Sequence, residues 1–156
     1  MLFRSKVRLT DKDIYAMLAN GSNIRDITAN TGNSDETSSN QPRRLAVYAS
    51  DVTGKFQIYM TNGFGKTTIR LTNNGANDTA PKVSPNGRKI AFLSDRDCNP
   101  EIYVMGADGS NPVNVSNSTG NDGSFVWSPD GTKITFVSDR DGNNEIYVVN
   151  ADGTNL

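Results

Sequence analysis

The stretch Phe125-Val126-Trp127-Ser128-Pro129-Asp130-Gly131-Thr132-Lys133-Ile134-Thr135-Phe136-Val137-Ser138 and its continuation, Asp139-Arg140-Asp141-Gly142-Asn143-Asn144-Glu145-Ile146-Tyr147-Val148-Val149, hold three short apolar runs parted by two turn signals. Ser128-Pro129-Asp130-Gly131 suits a type I turn: Pro in second place presets φ, and Gly in fourth tolerates a left-handed exit. Lys133–Ser138 alternates and carries Ile, Phe and Val, which predicts a second strand after the short Phe125–Trp127. Asp139–Asn144 then turns the chain into a third strand, Glu145–Val149, and Asp152-Gly153 opens another turn. A fourth strand is read earlier in the chain, in Thr68-Ile69-Arg70-Leu71-Thr72 and Pro112-Val113-Asn114-Val115-Ser116. No stretch of 10 or more residues carries helical periodicity, so the chain is expected to be all-β.

This pattern recurs. Ile-Tyr stands at Ile14-Tyr15, Ile58-Tyr59, Ile102-Tyr103 and Ile146-Tyr147, always 44 residues apart. At that offset, 79–112 and 123–156 share 19 identities in 34 positions. The repeats fall at about 1–34 (incomplete), 35–78, 79–122 and 123–156, the last without its fourth strand. A four-stranded meander of this size cannot cover both of its faces, so the repeats must stack. Four strands in 40–45 residues predict blades of a β-propeller, about three and a half per chain, in one partial propeller domain over 1–156. Ile102-Tyr103-Val104-Met105 has apolar side chains on both faces, as a strand between two blades requires.

Trp127-Ser128-Pro129-Asp130-Gly131, Ser138-Asp139-Arg140-Asp141-Gly142-Asn143 and Glu145-Ile146-Tyr147-Val148-Val149-Asn150-Ala151-Asp152-Gly153 resemble the repeat of TolB-type, WD-like β-propellers. The resemblance is fullest over 79–156, partial over 41–78 and slight over 1–40, and the Ser-Pro-Asp-Gly turn is missing from the first two repeats, where the second has Asn40-Gln41-Pro42-Arg43. It implies an extracytoplasmic module that binds other proteins through the faces and channel of a ring.

Composition removes several mechanisms. With no histidine, neither a Ser-His-Asp triad nor a Cys-His pair can form, nor can a histidine-ligated zinc site. The lone cysteine, Cys98, has no histidine to activate it and no partner for an intrachain disulfide. A formal net charge of −1 leaves no basic excess for nucleic acid. The apolar runs, four residues or so, are far short of a membrane span, and residues 1–9 lack the apolar core of a secretion signal. Taken as given, the chain is expected to stay in the cytoplasm, against the location that the resemblance implies.

Two sets of residues are candidates for a site. The loops Asn77-Asp78-Thr79 and Asn121-Asp122-Gly123, with Asn33-Ser34-Asp35 at the equivalent place, precede the innermost strand of each repeat. There Asn77, Asp78, Asn121 and Asp122 could form an acidic ring at the channel that holds a cation or receives a basic or amide-rich peptide. The turn 139–145 spaces oxygen ligands somewhat like a calcium loop, but its Gly and Glu fall fourth and seventh, not sixth and twelfth. Its carboxylates are therefore expected to hold their own turn, with Arg140 paired to an acidic neighbour, and no cofactor is expected. Trp127 is expected to pack, not to bind.

The reading is a non-catalytic binding or scaffold module for a protein or peptide partner. The incomplete ring has two readings: the chain is a fragment of a longer propeller, or the ring closes in a homodimer in which about Ile24–Thr28 of one copy completes the last sheet of another. The alternatives are a carboxylate- or metal-dependent hydrolase or lyase on a propeller, and a purely structural self-assembling array.

Overall fold

The computed structural model describes the backbone of 2–7, 12–17, 25–26, 35–40, 45–62 and 67–156, with side chains over 46–61 and 67–156. Its described elements are all strands. β1 (Leu2–Val7), β2 (Lys12–Met17) and β3 (Arg25–Asp26) form the first sheet; β4 (Asp35–Asn40), β5 (Leu45–Ser50), β6 (Gln57–Asn62) and β7 (Thr68–Arg70) form the second. The third holds β8 (Asp78–Val83), β9 (Lys89–Ser94), β10 (Glu101–Gly106) and β11 (Val113–Asn114), and the fourth β12 (Asp122–Trp127), β13 (Lys133–Ser138) and β14 (Glu145–Asn150). Each sheet is an antiparallel meander in chain order, the architecture of a propeller blade. By contacts the chain divides into two compact parts: Met1–Asn73 with Asp78–Pro81, and Asn74–Asn77 with Lys82–Leu156.

The turns form as their chemistry dictates. Gly131 N–H donates to Ser128 O at 2.9 Å, and Gly131 lies at φ +69°. The Asp130 carboxylate accepts from Ser128 Oγ (2.6 Å) and from Thr132 N–H (3.0 Å) and Oγ (2.8 Å). One repeat earlier Asn86 does the same work, accepting from Ser84 Oγ at 2.9 Å and Arg88 N–H at 3.0 Å. Those bonds fix the hairpin, so β9 and β13 start at the same place in their repeats.

β10 is buried on both faces, with Ile102, Tyr103, Val104 and Met105 all 6% exposed or less. Phe92, Phe125, Phe136, Ile90 and Ile134 complete the core of the second part. β12 packs on β10 there, so this interface is the blade-to-blade contact that the repeat demanded.

Several strand limits differ from the sequence reading. β12 begins at Asp122, before the apolar Phe125–Trp127, because an irregularity between Gly123 and Val126 admits the polar start, with Ser124 at φ +39°. β7 and β11 are shorter than the apolar runs that announced them. Their ends are nonetheless tied in, Leu71 N–H to Ile58 O (2.8 Å) and Val115 N–H to Ile102 O (2.9 Å). The expected donor strand, about Ile24–Thr28, meets a competing use: Arg25 and Asp26 pair with Ala16 and Tyr15 of β2 in the same chain.

Candidate functional site

The Ser-Asp-Arg-Asp turn joins β13 to β14, and every polar side chain in it is engaged. Ser138 Oγ accepts from Arg140 Nε at 3.0 Å, which directs the guanidinium back over the sheet. There it lies 5.2 Å from the Phe136 ring centroid and 4.5 Å from that of Tyr147, a cation held by two aromatic faces. Its Nη2 donates to Ser116 O (3.2 Å) and to Asp122 Oδ1 (3.4 Å). Arg140 thus joins the last strand region of one repeat to the first strand of the next. The equivalent Arg96 donates to Ser94 Oγ at 2.8 Å and lies over Phe92 (5.6 Å) and Tyr103 (4.2 Å).

The two aspartates of the turn divide the remaining work. Asp139 clasps Asn121: Oδ1 accepts its backbone N–H at 2.5 Å and Oδ2 its side-chain amide at 3.1 Å. These donors hold the Asp139 carboxyl below the usual carboxylate range. Asp95 clasps Asn77 in the same way, at 2.7 and 2.8 Å. Asp141 accepts the Tyr147 hydroxyl, and this bond, with burial second, pushes the phenol up to about 12. Burial and then the bond to Asp97 raise Tyr103 likewise.

The four residues expected at a channel rim therefore divide into two kinds. Asn77 and Asn121 are locked by carboxylates of the following turn. Asp78 and Asp122 are buried, 0% and 4% exposed, with their N–H groups bonded to Phe56 O and Pro100 O (2.8 Å each). Asp122 Oδ2 is buried with no hydrogen-bond partner among the described residues. Asn33 and Ser34 lie outside the described residues, and among those described no group of three or more His, Cys, Asp or Glu is placed to hold a metal.

Sequence reasoning missed the aromatic cradle of Arg140 and the role of Asn114. The Asn114 amide donates to Asp97 Oδ2 (3.0 Å) and to the Glu101 carboxylate. The signal was present: Phe four before the arginine and Tyr seven after it recur in both repeats. Trp127, expected in the core, is half-buried, its Nε1–H donating to Lys82 O at 2.9 Å. Cys98 is exposed at φ +76°, where Gly54 and Gly142 stand in the neighbouring repeats at +99° and +95°.

Repeated antiparallel meanders of three or four strands, the last of them tied to its neighbour by the Arg140 bond to Ser116 O, define a β-propeller blade protein. The TolB beta propeller domain model matches the chain twice, over 39–118 and 73–156. The chain belongs to that family. A TolB homolog of Chlorobium chlorochromatii (strain CaD3) is 37% identical over 79 residues, 51% of this chain and 17% of the homolog. A solved TolB structure of Agrobacterium tumefaciens superposes with a TM-score of 0.82 at 26% identity, covering 98% of this chain and 58% of that one. TolB of Acinetobacter baumannii gives 0.73 at 25%, covering 88% and 34%. The chain spans less than two thirds of the length of each of these relatives.

Proposed function

We propose that this chain is a non-catalytic binding module of the TolB propeller type, presenting its inter-repeat loops to a protein or peptide partner, in an extracytoplasmic setting. The observation that carries this is the Asn–Asp clasp, present at Asn77–Asp95 and again at Asn121–Asp139. A clasp that fixes both the backbone and the side chain of a loop residue removes disorder before a partner arrives, and such preorganisation favours affinity. In this reading Asn77 and Asn121 shape the contact surface, while Asp78 and Asp122 anchor it from beneath.

Affinity capture from an extract of the source organism tests the proposal, with the wild-type chain beside an Asn77→Ala/Asn121→Ala variant of unchanged circular dichroism. The expected result is a saturable protein partner captured by the wild type and lost with the variant. A chain that captures nothing saturable, or a variant that captures equally well, contradicts it.

Association of two copies belongs to the same proposal in an altered form. With Arg25–Asp26 in use inside the chain, the second copy would meet the fourth sheet at its exposed apolar residues Val126 (56%), Ile146 (75%) and Val148 (45%). Light scattering at several concentrations decides this: a dimer mass supports association, and a monomer mass throughout removes it.

A further inference from the structure

The second and third sheets share one backbone register. Tyr59 lies opposite Tyr48 and Arg70, as Tyr103 lies opposite Phe92 and Asn114. The β5–β6 and β9–β10 turns also close alike, Gly54 N–H donating to Asp51 O (2.7 Å) and Cys98 N–H to Asp95 O (3.1 Å). In the third sheet this frame holds a closed polar network. The Tyr103 hydroxyl donates to Asp97, and the Asn114 amide donates to Asp97 Oδ2 (3.0 Å) and to the Glu101 carboxylate. The acceptors there are carboxylates of the sheet's own turn and strand.

The second sheet keeps the donors and lacks the carboxylates. Thr53 stands in the place of Asp97 and Gln57 in that of Glu101, while Lys55 replaces Asn99 and Arg70 replaces Asn114. At these positions the third sheet carries two net negative charges, from Asp95, Asp97 and Glu101 against Arg96. The second carries one net positive charge, from Lys55 and Arg70 against Asp51. Tyr59 is 7% exposed, and its hydroxyl is buried with no hydrogen-bond partner among the described residues. A hydroxyl left so loses free energy that a bound acceptor restores. Arg70, directly across from Tyr59, extends on the same face of the sheet. Its Nε donates to Thr72 O at 2.7 Å, and neither Arg70 nor Lys55 has an ion-pair partner among the described residues. Val52, Thr53, Gly54 and Lys55 are exposed, and a Cβ on Gly54 would meet nothing within 4 Å, so the place of the missing carboxylate opens to solvent.

We propose that the turn 51–56, with Tyr59 and Arg70, is a carboxylate-binding site that takes an Asp or Glu side chain from an acidic peptide segment of a partner. The bound carboxylate occupies the place that Asp97 holds in the third sheet. It accepts from the Tyr59 hydroxyl and the Arg70 guanidinium, with the Lys55 ammonium beside it. The planar fork of arginine matches a carboxylate at two points, where an asparagine amide offers one. The site uses none of the inter-repeat loop residues and stands without the preceding proposal.

The test is fluorescence anisotropy of a labelled hexaglutamate peptide as the chain is titrated to roughly 1 mM, with a Gly-Ser peptide of equal length as control. Saturable binding of the acidic peptide alone is expected. Arg70→Asn, which installs the residue of the third sheet, and Tyr59→Phe, which removes only the hydroxyl, are each expected to weaken it at least about tenfold. Thr53→Asp is expected to abolish it, because the chain then supplies its own carboxylate to Tyr59, as Asp97 does to Tyr103. Val52→Asp, which sets the same charge one residue away, is expected to leave binding in place. No saturable binding by the wild type, binding that Arg70→Asn or Tyr59→Phe leaves unchanged, or equal effects of Thr53→Asp and Val52→Asp would overturn the proposal.

Discussion

Arg140 shows how one side chain can serve two repeats. Its side chain is 12% exposed and that of Asp122 0%, so removing the guanidinium strands a buried carboxylate. Arg140→Ala should therefore cost about 3 kcal/mol, set by the unpaired charge more than by the lost stacking; denaturant unfolding measures it. Cys98 makes the opposite case. A non-glycine residue at φ +76° carries about 1–2 kcal/mol of strain, and glycine's larger unfolded-state entropy offsets about 0.5–1 of that. Cys98→Gly should therefore raise stability by roughly 0.5 kcal/mol, seen as a higher melting temperature. Asp130 gives a pH signature. Ser128 and Thr132 lower its carboxyl from 3.8 to about 2, so the stability it contributes is complete above pH 4 and lost as pH falls through 2. Melting temperatures over that window should drop for the wild type and flatten for Asp130→Asn. At the alkaline end, Asp141→Asn should bring the Tyr147 phenol down from about 12 towards 10, followed by absorbance titration.

Among the elements, those whose limits are set by local chemistry were legible in the sequence. Ser128-Pro129-Asp130-Gly131 fixes its own hairpin through bonds within six residues, so β13 falls at the predicted Lys133–Ser138. The polar start of β12 was hidden, because Asp122-Gly123-Ser124 enters a sheet only through an irregular register and bonds made at a distance in sequence. The loop before it is equally constrained: a Cβ on Gly120 would lie 2.6 Å from the Arg140 backbone, which cannot yield as a flexible side chain could. Gly120→Ala should destabilise the fourth sheet by about 1–3 kcal/mol, measured by denaturant unfolding. It should also raise hydrogen exchange at Asn121 and Asp122 before that of β9 and β10.

For the whole molecule, the 44-residue period carried the fold, because a spacing kept through four copies states the size and stacking of the blades directly. The candidate site was less legible. Asn77, Asp78, Asn121 and Asp122 could be placed by analogy between repeats, but which of them face solvent depends on partners 18 residues further on. Asp139 is read from the sequence as holding its own turn, whereas it clasps Asn121; Arg140 does pair with an acidic residue, Asp122. Family membership then sets the scale of the claim: TolB-type blades whose loops are clasped in place before any partner binds. Hydrogen exchange on the chain, alone and saturated with its captured partner, tests that claim most directly. The account predicts slow exchange at Asn77 and Asn121 in the free chain, with added protection on binding confined to 74–79 and 118–124. Fast exchange there in the free chain, or protection that spares both loops, would contradict it.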